Sequence, residues 1–179
     1  MLALFEALGK LLPQRIPAAG QGTMNNLLIG SAAGRPFTYY ETIAGGHGAS
    51  AVGDGLSARH SHMTNSLNTP IESLEHACPL RIHRYSIRKG SGGNGQHHGG
   101  DGIVREVEFL QDCEFTLLRQ SVSRGPSGAG SGNPGRAGVA VFTRDREKEE
   151  LPSSCTRTAA RGDRLLIETP GGGGWDPRQ

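Results

Sequence analysis

Apolar and polar positions alternate most clearly in the middle of the chain. Over residues 80–88, Leu80, Ile82, Arg84, Ser86 and Arg88 fall on one phase and Arg81, His83, Tyr85 and Ile87 on the other. That two-residue period is a strand's, with faces that are only partly amphipathic. Residues 103–110 and 114–122 carry the pattern on, joined by Gln111-Asp-Cys113, a connection of hairpin length. Shorter extended stretches are expected at 26–30, 36–42, 137–143, 156–158 and 164–168, with a hairpin-like break between the first two. Helical spacing occurs twice. Leu4, Leu8, Leu11 and Leu12 share one face of an amphipathic helix over residues 1–12. Residues 70–77 suit a short helix, with Thr69 as N-cap, Pro70 at the first helical position and Glu72 supplying early negative charge. Many short strands between glycine breaks predict an α+β, β-rich fold of layered or sandwich-like sheets. With no internal repeat and no second boundary, residues 1–179 read as a single domain.

Composition changes that picture in one respect. Glycine accounts for 28 of 179 residues, against an average share of about 7%, so many turns or close backbone approaches are expected. Only 35% of residues are apolar; the core is lean, and partner contacts are expected to complete the fold. A net charge of +2 gives no argument for nucleic acid or an anionic membrane. Residues 144–150 concentrate charge and read as a solvated hairpin tip. Cys78, Cys113 and Cys155 are odd in number and widely spaced, which speaks against a disulfide framework or zinc knuckle and for reduced thiols in a cytoplasmic protein. The amino-terminal segment lacks a basic lead-in, so it does not read as a signal peptide.

Candidate chemistry concentrates in residues 58–75, where His60, His62, Asn65 and Glu72 crowd together with the hydroxyls of Ser61, Thr64 and Ser66. His60-x-His62 in an extended segment points both imidazoles to one face, a spacing that metals use. A third ligand would come from Glu72, Glu75 or Asp54. The competing reading is a structural or substrate-contacting role, which the absence of a fixed third ligand favours. His97-His98 lies in a glycine-rich loop whose amides could face an anion, though a tight bend is the simpler reading. Gly130-Ser-Gly-Asn-Pro-Gly135 has the letters of a dinucleotide fingerprint, but Pro134 interrupts it and a strand, not a helix, follows. No Walker loop or nucleophile elbow is present, so ATP binding by this chain alone is not expected. Thr169-Pro-Gly-Gly-Gly-Gly-Trp175 suggests close backbone packing or a tail threaded through a narrow place, the alternative being a flexible exit.

Several segments together resemble the hydantoinase B/5-oxoprolinase family. They are Pro36-Phe-Thr-Tyr-Tyr-Glu-Thr-Ile-Ala-Gly-Gly46, His60-Ser-His-Met-Thr-Asn-Ser-Leu-Asn-Thr-Pro-Ile-Glu72, Gly99-Gly-Asp-Gly-Ile-Val-Arg-Glu106 and Glu168-Thr-Pro-Gly-Gly-Gly-Gly174. The pattern departs at Trp175-Asp-Pro177, one glycine short, and at His47. Family members run much longer at the amino end, so the resemblance implies the C-terminal part of a B-type subunit. It implies ATP-dependent opening of a cyclic amide such as 5-oxoproline or a hydantoin. A hydantoinase A-like ATPase partner phosphorylates the amide oxygen, which turns a poor electrophile into one with a leaving group. ATP and a divalent metal are then held by that partner or by the upstream part of the B-type subunit, none by this chain alone. Under this reading His60, His62, Asn65 and Glu72 position substrate, and the metal role recedes. The alternative is a non-catalytic assembly or scaffold module.

Overall fold

Strands whose apolar side chains share one phase must bury that phase, and here two antiparallel sheets bury theirs against each other. A computed structural model describes residues 2–12, 14–22, 25–60, 64 and 66–177. Its elements run α1 (Leu2–Leu11), β1 (Asn25–Ser31), β2 (Phe37–Thr42), α2 (Ile71–Ala77), β3 (Leu80–Arg88), β4 (Gly102–Phe109) and β5 (Cys113–Arg119). They continue with β6 (Ala129–Gly130), β7 (Val139–Arg144), β8 (Glu147–Glu150), β9 (Ser154–Ala159), β10 (Arg164–Glu168) and β11 (Trp175–Asp176). One sheet has the order β2-β1-β5-β9 and the other β3-β4-β10-β7-β8; β11 and β6 form a short parallel pair. The fold is α+β and β-rich, as the alternation predicts.

Between the sheets, Phe115 stacks on Phe109 with ring centroids 5.5 Å apart and tilts against Phe142 at 5.4 Å. Leu27, Ile29 and Leu117 meet Val107, Leu165 and Ile167 in the same buried layer. Burying side chains of this size contributes about 1.5–3 kcal/mol each.

Two expectations need correction. The three-residue link between β4 and β5 is not a hairpin: β4 pairs with β3 and β10, whereas β5 pairs with β1 and β9. The link is an arch that carries the chain from one sheet to the other. The cap of α2 is Pro70, without a side-chain cap bond; the Thr69 hydroxyl is engaged with the Tyr39 phenol instead. The charged run at 144–150 is the exposed hairpin end that its charge predicts, with β8 paired to β7 and Asp145 and Arg146 both at positive φ in the turn. The apolar stripe of α1 meanwhile faces outward, with Leu4 58% and Leu11 77% exposed.

The glycines gather beside the sandwich. Gly171 to Gly174 are all buried, and their amides donate in turn to the carbonyls of Arg136, Gly100, Ala19 and Asn133, at 3.2, 2.8, 2.8 and 2.9 Å. The first and fourth partners lie on one segment, so bonding direction repeats every three residues, the period of a polyproline II-type rod. Neighbouring backbone takes the place that water has around such a rod in solution. Carbonyls of the rod accept in return from Gly46, Gly93, Ala49 and Ala129. A Cβ on Gly172 would sit on the His47 carbonyl, and one on Gly174 on the Asn94 carbonyl. Only glycine permits this approach. The tail is therefore the axis of a backbone bundle, not a flexible exit.

Candidate functional site

The segment that carries the candidate residues is held at both ends. At its start, the Arg59 amide donates to the Gly45 carbonyl at 2.9 Å, and His47 Nε2 donates to the His60 carbonyl at 2.8 Å. At its end, Asn68 Nδ2 donates to Glu41 Oε1 at 2.6 Å, and the Tyr85 hydroxyl donates to Asn68 Oδ1 at 2.9 Å. His62 and Asn65, with Ser61 and Met63, lie between these clasps, outside the described residues.

His60 is the informative member. Both ring nitrogens are buried and have no hydrogen-bond partner among the described residues. Burial pushes its pKa below the ordinary 6.5, so the ring is neutral at neutral pH and can both give and take a hydrogen bond. Glu72 stands exposed in the first turn of α2, and no described contact joins it to His60. The other acids are engaged elsewhere. Glu75 Oε1 accepts from the Ile82 amide at 2.7 Å, and Asp54 Oδ1 accepts from the His98 amide at 2.8 Å. Among the described residues, no three His, Cys, Asp or Glu side chains gather as metal ligands.

The loop at 90–102 has also closed on itself. Asp101 accepts from the amides of Gly90, Ser91 and Gly92, at 3.3, 2.8 and 2.8 Å. Amides that could have faced an external anion thus already hold a carboxylate. His97 lies 6.0 Å from Trp175, ring centre to ring centre, and exchanges backbone hydrogen bonds with it.

Sequence inspection missed the group that anchors the far clasp. Arg105 on β4 is fully buried, and its Nη2 stands 3.1 Å from Glu41 Oε2 on β2, across the sandwich. The pair has charge attraction without hydrogen-bond alignment, and Arg105 Nε and Nη1 have no hydrogen-bond acceptor among the described residues. The Tyr85 ring, 4.9 Å from the guanidinium carbon, supplies a π face in compensation. Burial, then the neighbouring Glu41 charge, raises the Tyr39 pKa; burial likewise raises that of Tyr85. Breaking one side of such a pair costs about 3–5 kcal/mol, whereas replacing both is often neutral. A signal did exist in the sequence: Arg105 sits on the apolar phase of Ile103, Val107 and Phe109, and a charge there must find a buried partner.

Two clefts lie elsewhere among the described residues. One of about 640 Å³ opens on the outer face of the four-stranded sheet, beside Gly30, Phe37 and Thr38. The other, about 540 Å³, lies between α1 and residues 121–130.

Comparison with known proteins places these features in a family. The family profile described as hydantoinase B/oxoprolinase matches residues 1–177. An uncharacterized protein of Methanocaldococcus jannaschii is 41% identical over 172 residues, covering 96% of this chain and 30% of its own. 5-Oxoprolinase 1 of Arabidopsis thaliana is 41% identical over 159 residues, which are 88% of this chain and 12% of that one. The chain thus spans less than a third of the length of these relatives. The crystal structure of an ATP-dependent caprolactamase from Pseudomonas jessenii has the same fold, with a TM-score of 0.78 over 97% of this chain and 32% of that one, at 24% identity.

Proposed function

The chain belongs to the hydantoinase B/oxoprolinase family, and from that premise we propose that it forms part of an ATP-dependent cyclic-amide hydrolase. In this reading the enzyme is of 5-oxoprolinase or hydantoinase type and opens a lactam or hydantoin ring with a partner ATPase subunit. The chain works only in that complex. The family match over residues 1–177 is the observation that carries the reading. As the family resemblance implies, ATP and a divalent metal are assigned to the partner or to the part of the family fold outside this chain.

This chain's contribution is to position the substrate. The neutral imidazole of His60, its nitrogens buried and unpartnered among the described residues, suits a hydrogen bond to the activated amide or to the attacking water. His62, Asn65 and Glu72 are assigned to the same task. A second reading, an assembly module without a catalytic part, is favoured by the exposed Tyr40, Leu28 and Leu118 on the outer face of the four-stranded sheet.

Reconstitution with the ATPase partner and the remainder of a B-type subunit tests both. The expected result is ATP hydrolysis that depends on 5-oxoproline or a hydantoin, reduced at least 10-fold by His60→Ala. Absence of ring-dependent hydrolysis would sink the catalytic reading. Full activity of the His60, His62, Asn65 and Glu72 alanine variants would select the assembly module.

A further inference from the structure

The two outer faces of the sandwich differ in kind. On the five-stranded sheet, Arg164 of β10 faces Glu106 and Glu108 of β4 at 3.7 and 3.9 Å, and Arg88 pairs with Glu168 at 3.0 Å. That face pairs its charges within itself around the half-buried Val139, Val141 and Leu166, as suits water. On the four-stranded sheet, register turns Leu28, Thr38, Tyr40, Thr116, Leu118 and Thr156 outward. Tyr40 is 60% exposed, and Leu28 and Leu118 are each 41% exposed. Among the described residues, Glu114 is the one charged side chain that the register turns to this side.

We propose that this neutral face is the docking surface for the rest of a hydantoinase B-like polypeptide. The occupant follows from length: this chain covers 30% of the Methanocaldococcus jannaschii relative, so most of that family member's fold lies outside it. The proposal rests on family membership and not on the catalytic reading. Physical chemistry favours this face over the other. Four of its hydroxyls are already paired within the sheet, Thr116 with Thr156 at 2.9 Å, Tyr40 with Thr42 at 3.2 Å and Thr42 with Asn26 at 3.0 Å. Covering them therefore strands no polar group, and the cost of desolvation is small. Scarcity of charge with exposed Tyr and Leu is the composition of an interface centre. The cleft of about 640 Å³ beside Phe37 offers a recess for one apolar side chain of the partner.

The test compares the free full-length chain with a chimera, the Methanocaldococcus jannaschii relative with its matching segment replaced by this chain. Leu28→Cys, Thr156→Cys and, on the opposite face, Arg84→Cys are each labelled with a maleimide. The buried native thiols of Cys78, Cys113 and Cys155 set the slow reference. The expected result is labelling at positions 28 and 156 at least 10-fold slower in the chimera than in the free chain, with position 84 unchanged. Equal rates in chain and chimera overturn the proposal, as does equal slowing on both faces. Slow labelling at position 28 in a free chain of dimeric mass also overturns it, by giving the face to a second copy. Because labelling reads no turnover, an inactive chimera with a protected face would count against the catalytic reading alone.

Discussion

The sandwich and the glycine bundle solve the same problem by opposite means. In the sandwich, side chains such as Phe109, Phe115 and Phe142 fill the space between backbones. In the bundle, backbones fill it themselves, and each carbonyl of a neighbour occupies the place where a side chain would begin. A side-chain core has soft parts, since rotamers shift and rings tilt. A backbone core has none. The lesson is that tolerance to substitution is set by what does the packing, and burial alone does not reveal it.

The largest effect is expected at Gly172→Ala, where the added methyl group meets the backbone of His47 and Gly48. Loss of about 4 kcal/mol or more in urea unfolding is expected; a loss below about 1 kcal/mol would contradict the packing described. Phe115→Ala should cost about 3–5 kcal/mol. Adding one carbon to the bundle thus matches removing a ring from the sandwich, and that equality is the sharpest form of the comparison. Arg105→Ala should cost a similar ~3–5 kcal/mol, because Glu41 is left buried and unpaired, while Arg105→Met with Glu41→Leu should recover most of it. Failure of the double variant to recover would show that the pair is needed for more than its own charge.

A smaller effect concerns pH. Burial holds the His60 pKa below 6.5, so the unfolded chain takes up the proton first as pH falls. Stability is unaffected above 6.5 and declines from there down to the folded-state pKa. His60→Gln should flatten that part of the stability–pH curve; an unchanged slope would mean that another group titrates. Smallest of all is Gly53→Ala. Nothing lies within 4 Å of its added Cβ, so the change should be neutral or stabilise by about 0.4–1 kcal/mol. Glycines outside the bundle are then dispensable where those inside are not.

Much of this was legible in the chain. Alternation located the main strands because each buries one phase, and four consecutive glycines before Trp175 announced close packing. The destination of the Gln111-Asp-Cys113 link was not legible. Three residues can close a hairpin or cross between sheets, and the choice is made by long-range pairing of β5 with β1. The partnership of Arg105 with Glu41 was hidden for the same reason, since local pattern shows that Arg105 needs a partner but not which one. At the candidate segment, the sequence drew attention to His60, whose ring nitrogens lack a partner among the described residues. It could not show that Asp54 and Glu75 each accept a backbone amide through one carboxylate oxygen.

The rod at the centre of the bundle also has a consequence in time. Thr169, at its foot, bonds the carbonyl of Ala44, a residue made 125 positions earlier. At ~5–20 residues per second of synthesis, that separation is roughly 6–25 s. Throughout that interval the 45–49 segment, and with it the Gly45 and His47 anchors of His60, exists without its axis. Chains that stop between residues 72 and 169 carry every candidate residue but lack the rod that holds their anchors in place.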